Sequence, residues 1–375
     1  MGTSAISLRR LAQQRLTRDP MASAEEVVGW LGAVQAQDFA GAKWALSLRV
    51  DEATDSSVEK AFNEGAILRT HMLRPTWHFV APADIRWMQA LTSPRVNAVN
   101  GHMYRQLELD DELFATSNAL ITKALLERRQ LTREELGAAL AAGGIEATGM
   151  RLGYIVHRAE LDAVVCSGPR RGKQFTYMLV DERAPGARVL PPDEALAELT
   201  RRYFTGHGPA TVRDFAWWSG LTGAEVKRGI ELVGTGLDRE NIDDATYWFT
   251  PSKPPVDEDD ASTFLLPTYD EFFMGFTGES RAAGLDVREL VFDSMIVIGG
   301  QIAGTWRRTF EKGAAVIEVK MLPALAAGDP RVAAAAERFG AFVGMPVVVR
   351  HVTVSDLKGT GWMYSRLSNR EKGEP

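Results

Sequence analysis

The stretch Val34-Gln35-Ala36-Gln37-Asp38 sets two side-chain amides two residues apart, with a carboxylate directly after them. Residues at i and i+2 share a side only where the backbone is extended. In that geometry two amides can hold one water molecule between them. A neutral amide takes up no proton near pH 7, so the pair is a poor general base, and hydrolysis at an anomeric carbon ordinarily employs a carboxylate. Taken alone, Gln35 and Gln37 are most simply a polar helix end facing solvent. Asp38 reads as a cap for the following segment, with orientation of a water as its other option.

The remaining candidates are cationic. Arg170, Arg171 and Lys173 crowd the segment 168–173, a composition suited to phosphate contact or groove insertion, or simply to a solvated basic loop. Arg69, His71 and Arg74 lie close together in a second hairpin-like stretch, and Arg307 and Arg308 follow Trp306, so that one of the two should face outward.

Most familiar reaction centres are missing. There is no Walker A loop, HExxH, paired CxxC, zinc-deaminase signature, G-x-S-x-G elbow or G-x-G-x-x-G, and the glycines of 234–237 lie in no βαβ context. The histidines (His71, His78, His102, His157, His207 and His351) are scattered, so neither a metal nor a cofactor is expected. Cys166 is the sole cysteine; no internal disulfide can form, and its apolar neighbours mark it as strand core rather than nucleophile. The chain has 375 residues, 45% of them hydrophobic and 25% charged, enough for two to four domains with ordinary cores. A formal net charge of -6 argues against nonspecific coating of DNA while allowing a local basic surface. The first residues lack an apolar leader core and no run has the length of a membrane span, so a cytoplasmic protein without a membrane partner is expected.

These side chains need elements to position them. Ser23 and Glu26 form a capping pattern ahead of a helix carried to about Val34. Two short helical runs follow, around Trp44–Leu48 and over 58–64, and then two β-prone runs, 66–72 and 76–80, separated by Leu73-Arg74-Pro75. Three helices followed by a hairpin is the order of a winged helix. Pro82 opens a further helix. The same order recurs with Leu120, the Thr132/Glu135 capping pair, a helix through Leu152 and Ile155, and a hairpin flanking 168–173. It recurs again from Asp193, with Thr211 and Thr222 as caps and Tyr247-Trp248-Phe249 on the closing hairpin. After a Pro-rich acidic loop over 251–260, strands are expected at 264–266, 290–292, 295–298, 301–306, 316–319 and 347–349, with one helix over 331–343 and a Gly299-Gly300 turn. The fold class is therefore α+β, mainly α: three tandem winged-helix modules (1–115, 116–190 and 191–258) and a β-barrel-like or curled-sheet domain (259–375). Trp217, Trp218, Trp248, Trp306 and Trp362 are read as packing residues, with base stacking as the minor option.

The Gln-apolar-Gln stretch resembles the motif of the winged-helix DNA glycosylases that release bulky alkylated bases, the AlkZ-like group and, more distantly, the YcaQ-like group. The resemblance extends through Leu68-Arg69-Thr70-His71, Arg74-Pro75-Thr76-Trp77-His78-Phe79-Val80, Trp217-Trp218-Ser219-Gly220, Leu266-Pro267-Thr268-Tyr269-Asp270-Glu271 and Ala303-Gly304-Thr305-Trp306-Arg307-Arg308. Gln37 places the chain with the AlkZ-like group, since the YcaQ-like group has aspartate there. The resemblance implies three winged helices, a C-terminal barrel and a concave DNA-binding face. It also implies catalysis by Gln35 and Gln37, with Asp38 and His71 in support. Arg69, Arg74, Arg170, Arg171, Lys173, Arg307 and Arg308 are the expected DNA contacts. The partner is double-stranded DNA with alkylated bases, and a monomer is expected. A cationic N7- or N3-alkylated purine leaves with little acid assistance, so positioned water and oriented dipoles suffice. With no lysine at the motif, water rather than an amine is the expected nucleophile. The alternative is a winged-helix transcription regulator without catalysis, binding DNA as a symmetric dimer; a protein scaffold is a weaker third.

Overall fold

The computed structural model describes residues 3–127, 129–242, 244–251, 262–277, 294–322 and 329–352. The expected loop 251–260, apart from Pro251, the strand 290–292 and Trp362 lie outside them.

The first unit contains α1 (Thr3–Gln13), α2 (Ala24–Leu31), β1 (Ala33–Gln35), α3 (Phe39–Ser47), α4 (Asp55–Glu64), β2 (Leu68–Met72) and β3 (Thr76–Val80). Ser23 caps α2 by accepting the Glu26 N–H. The sequence pattern carries this helix to about Val34, but it stops at Leu31. Gly32 takes φ 82°, which glycine alone adopts without a Cβ penalty, and the chain passes directly into β1. The glutamine motif therefore leaves an edge strand rather than a helix end. The three strands pair in the order β1-β3-β2, all antiparallel.

The long helix α5 (Ile85–Gln106), which contains Pro94, leads to α6 (Asp111–Leu125), β4 (Leu131–Thr132), α7 (Arg133–Ala142), α8 (Gly149–Leu161), β5 (Val165–Ser167), β6 (Thr176–Leu179) and the short α9 (Val180–Arg183). A third set follows: α10 (Pro192–Gly206), α11 (Val212–Ser219), α12 (Gly223–Val233) and the hairpin β7 (Asp238–Ile242) and β8 (Ala245–Phe249). Reciprocal capping boxes start α7 (Thr132 with Glu135), α11 (Thr211 with Asp214) and α12 (Thr222 with Glu225), each satisfying backbone donors a helix start leaves open.

The C-terminal region holds β9 (Thr263–Leu266), α13 (Glu271–Met274), β10 (Ser294–Ile298), β11 (Gln301–Glu311), β12 (Ala314–Met321), α14 (Pro330–Val343) and β13 (Val347–His351). Its sheet runs β13-β12-β11-β10-β9 and is open: β9 and β13 form opposite edges, and no closed barrel exists among the described residues. The pairing is antiparallel except for β12 with β13, where α14 supplies the crossover that parallel strands require.

Two of the apolar clusters cross the boundaries between the four units drawn from the sequence. Val34, Phe79, Trp44 and Phe62 of the first unit pack in one core with Leu265, Trp306 and Phe339 of the C-terminal region. The other face of the β1-β3-β2 sheet, through Ala33, Leu68 and Val80, joins Trp87 of α5 and Tyr203, Phe215 and Trp218 of the third set. The second unit keeps its own core around Ile121, Leu136, Ile155 and Val165. The strand bearing the motif thus lies between two cores. Cys166 is fully buried on β5, and burial pushes its thiol up to about 12, as a core residue and not a nucleophile requires.

The β2–β3 turn is locked against α11. Gly220 ends that helix at φ 73°, and a Cβ there would lie 2.4 Å from the Leu73 carbonyl oxygen. Gly220→Ala is expected to lower stability by at least about 1–2 kcal/mol from the left-handed backbone alone. The readout is a lower denaturation midpoint at unchanged slope.

Candidate active site

Gln35 is 4% exposed and stands on β1 opposite His78 of β3. Its Oε1 accepts from Arg74 Nη2 at 2.9 Å, which fixes the amide's orientation by the donor it faces. Because β1 is an edge strand, the Gln35 N–H points away from β3. Glu271 receives it: Oε1 accepts at 2.8 Å, while Oε2 accepts from Trp218 Nε1 at 2.8 Å and lies 3.2 Å from His207 Nε2. Burial alone would raise the Glu271 carboxyl; His207 and the Gln35 N–H hold it below its usual value. His78 is fully buried and neutral at pH 7, pushed down to about 3 by burial and by Arg74. Its Nδ1 lies 3.0 Å from the Thr76 carbonyl.

The β-ladder changes character one residue later. The Ala36 N–H still donates to the Trp77 carbonyl at 2.7 Å. The Ala36 carbonyl, however, turns to Arg69 Nε at 3.0 Å. The Trp77 N–H that would have met it donates instead to Gln37 Oε1 at 3.3 Å. The Gln37 side chain thus stands in for a backbone carbonyl. An amide oxygen has two lone pairs, so each glutamine retains one acceptor site.

Gln37 is exposed and lines a cleft of about 980 Å³ between the first and second units. Arg69, Trp77, Phe175 and Tyr177 form one side, Gly137, Ala138, Ala141 and Leu152 the other, with Arg133, Glu134, Glu146 and Lys173 also on the lining. The two glutamines are therefore neighbours in the chain with different surroundings: Gln37 meets the cleft, and Gln35 stands behind it against Arg74 and Glu271.

Asp38 occupies the N-cap position of α3, as expected, but its side chain makes no capping hydrogen bond. Arg308 takes it, Nη2 to Oδ2 at 3.0 Å. Arg307 is the exposed member of that pair. His71 touches neither glutamine. It lies 2.5 Å from Glu160 Oε2 through Nδ1 and meets the rings of Trp77 and His157 at a tilt, 4.3 and 4.0 Å between centroids. Glu160 Oε1 also accepts from Trp77 Nε1 at 3.3 Å, so this group braces the cleft wall from behind.

The other cations divide by exposure. Arg69 is 6% exposed, and its guanidinium lies 4.1 Å from the Trp77 ring; burial lowers it to about 10. Arg74 reaches Gln35 and lies over the ring of Trp217 at 5.2 Å. Trp217 is 48% exposed, whereas the sequence pattern made it a packing residue; its partner Trp218 and Trp306 are buried. Arg170 is tied to Glu59 at 3.1 Å and to the Lys173 carbonyl at 3.0 Å, and Arg171 to Glu135 at 2.7 Å. Lys173 is exposed on the cleft. Among the described residues no histidine, cysteine and carboxylate cluster could hold a metal, and no helix is long and apolar enough to cross a membrane.

Sequence reasoning missed Glu271, Glu160 and the far cleft wall. Glu271 lies 236 residues from Gln35, and only its place in the Leu266–Glu271 run marked it.

A mixed α/β chain with an amide motif at a basic and aromatic cleft fits a DNA-processing protein. The family described as DNA glycosylase AlkZ-like matches residues 28–342, and the chain belongs to it. The interstrand DNA cross-link repair glycosylase of Streptomyces sahachiroi is 27% identical over 229 residues, 56% of this chain. The chain matches 59% of that relative's length. The solved structure of the Streptomyces sahachiroi DNA glycosylase AlkZ superposes with a TM-score of 0.79 over 93% of this chain and 99% of that one. At 21% identity the likeness is one of fold. Family membership does not favour a transcription regulator.

Proposed function

We propose that the chain is a monofunctional DNA glycosylase that hydrolyses the N-glycosidic bond of N7- or N3-alkylated purines in duplex DNA. The observation that carries this is the exposed Gln37 amide, fixed by a peptide N–H, on the lining of a cleft that belongs to an AlkZ-like chain. In this reading the three helix–hairpin sets are winged helices that together grip the duplex, and the C-terminal sheet backs the first of them.

The chemistry asks little of the protein. The electron pair of the C1′–N bond passes to the cationic base, which leaves neutral. Water adds to C1′, and its second proton passes to solvent. The free lone pair on Gln37 Oε1 accepts from that water, and the oriented amide dipoles favour the positive sugar. Glu134 and Glu146 offer negative charge on the cleft lining to a cationic lesion. Normal bases, uncharged, leave too slowly to be released. Repair of bulky or crosslinked lesions, or self-protection against a DNA-alkylating toxin, would both use this chemistry.

Incubation with duplex DNA containing N7-methylguanine, followed by measurement of free base, tests the proposal. Release of the methylated base with an intact abasic strand is expected. Absence of release from every cationic lesion, small or bulky, sinks it. Lys173 is the lysine on the cleft, so borohydride trapping is informative: no covalent complex should form if water is the nucleophile.

Lys173 also serves as a phosphate contact in this proposal. Lys173→Ala should weaken duplex binding and reduce the slope of log K against log salt by about 0.9. An unchanged slope removes Lys173 from the interface.

A further inference from the structure

We propose that Glu271 is a positioning residue for the reaction, holding Gln35 through its main-chain N–H; this rests on the glycosylase proposal above. β1 is the edge of its sheet, and Gln35 is buried there. A buried edge N–H that faces away from its ladder needs a partner from elsewhere, or costs about 1–3 kcal/mol. That partner is a carboxylate delivered from α13, 236 residues further along the chain, at 2.8 Å. Glu271 is itself 0% exposed and is held by Trp218 Nε1 and His207, both fully buried. Its own main-chain carbonyl accepts from Gln14 Nε2 at 3.1 Å. With its backbone and both carboxylate oxygens engaged, Glu271 has little freedom to shift. It pins the strand end from which Gln35 reaches Arg74 and from which the chain turns to present Gln37. It touches no substrate in this arrangement and acts only through the strand.

The test uses the full chain with Glu271→Gln and Glu271→Asp. The glutamine keeps size but brings an N–H2 toward donors. The aspartate keeps the charge but withdraws it from the Gln35 N–H by one methylene. Each variant is expected to lose about 100-fold in the single-turnover rate, the scale of a 1 Å misplacement, with duplex Kd unchanged. Introduced into Gln35→Ala, which keeps the main-chain N–H, each variant should still cause a further loss, because the strand end that presents Gln37 is held through that N–H. No further loss in that background, or a wild-type rate in either variant, overturns the proposal. Hydrogen exchange at the Gln35 amide supplies a readout independent of activity: it should be slow in the wild type and faster in Glu271→Asp. Free exchange in the wild type overturns the proposal even if neither variant folds. Should the wild type release no base at all, the glycosylase assignment fails, and amide exchange still decides whether Glu271 holds Gln35.

Discussion

Gln37→Ala is expected to lower the single-turnover release of N7-methylguanine by at least about 100-fold, the scale seen when one preorganised polar group is removed from a reacting site. Gln37 faces the cleft, and its oxygen already holds the Trp77 N–H, so the amide is oriented before substrate arrives. Alanine removes the water acceptor and also leaves the Trp77 N–H without that partner. Gln37→Glu separates these effects. It keeps the acceptor for Trp77 and adds a charge, so its stability should match the wild type while its rate on cationic lesions stays measurable. Gln35→Ala should also lose at least about 100-fold, but for a different reason. It frees Arg74, whose guanidinium burial already destabilises as a charge. Gln35→Ala should therefore lose stability as well as rate, whereas Gln37→Ala should lose rate at nearly unchanged stability. Wild-type release by Gln37→Ala would remove the cleft amide from the mechanism.

The second large effect is expected at Asp270. Arg49 is 1% exposed and Asp270 is 0% exposed, and they form a two-pronged pair at 2.8 and 2.9 Å. The Gln14 carbonyl, the Gln14 side chain and the Ala45 carbonyl take the remaining Arg49 donors at 2.8–3.0 Å. All five guanidinium hydrogens thus have partners. Removing the carboxylate strands a buried charge, which costs about 3–5 kcal/mol. Asp270→Ala should lower the denaturation midpoint accordingly, and Asp270→Asn, which keeps the shape, should lose less. The pair joins the turn after α3 to the segment bearing Glu271, so Asp270→Ala should also slow base release at temperatures where the chain is still folded. A loss below about 1 kcal/mol would show that this joint does not hold the C-terminal region to the first unit.

Local physics made much of the fold legible. The Thr132/Glu135 and Thr222/Glu225 spacings start helices because a hydroxyl and a carboxylate three residues apart satisfy two open N–H groups within one turn. The hairpin around Leu73-Arg74-Pro75 and the Gly299-Gly300 turn follow from backbone preferences of single residues. Where a boundary depended on a glycine's sign of φ, as at Gly32, the pattern overran and placed Gln35 at a helix end. Closure of the C-terminal sheet could not be read either, since whether two edge strands meet is set by curvature over many residues rather than by any one strand's alternation.

The site divides along the same line. Residue types alone showed two amides and a carboxylate in one short stretch, no familiar metal or thiol motif, and candidate basic residues grouped in three short stretches, because those readings depend on what side chains are. Tertiary structure decided which of them meet. It sent Arg69 into an aromatic wall, tied Arg170 and Arg171 to carboxylates, gave Asp38 to Arg308, and brought Glu271 across 236 residues to the Gln35 N–H. An edge N–H left open by its own ladder is a property of one strand, but its partner is not. A carboxylate's contact with a distant N–H depends on how two cores pack, and no spacing along the chain encodes that distance.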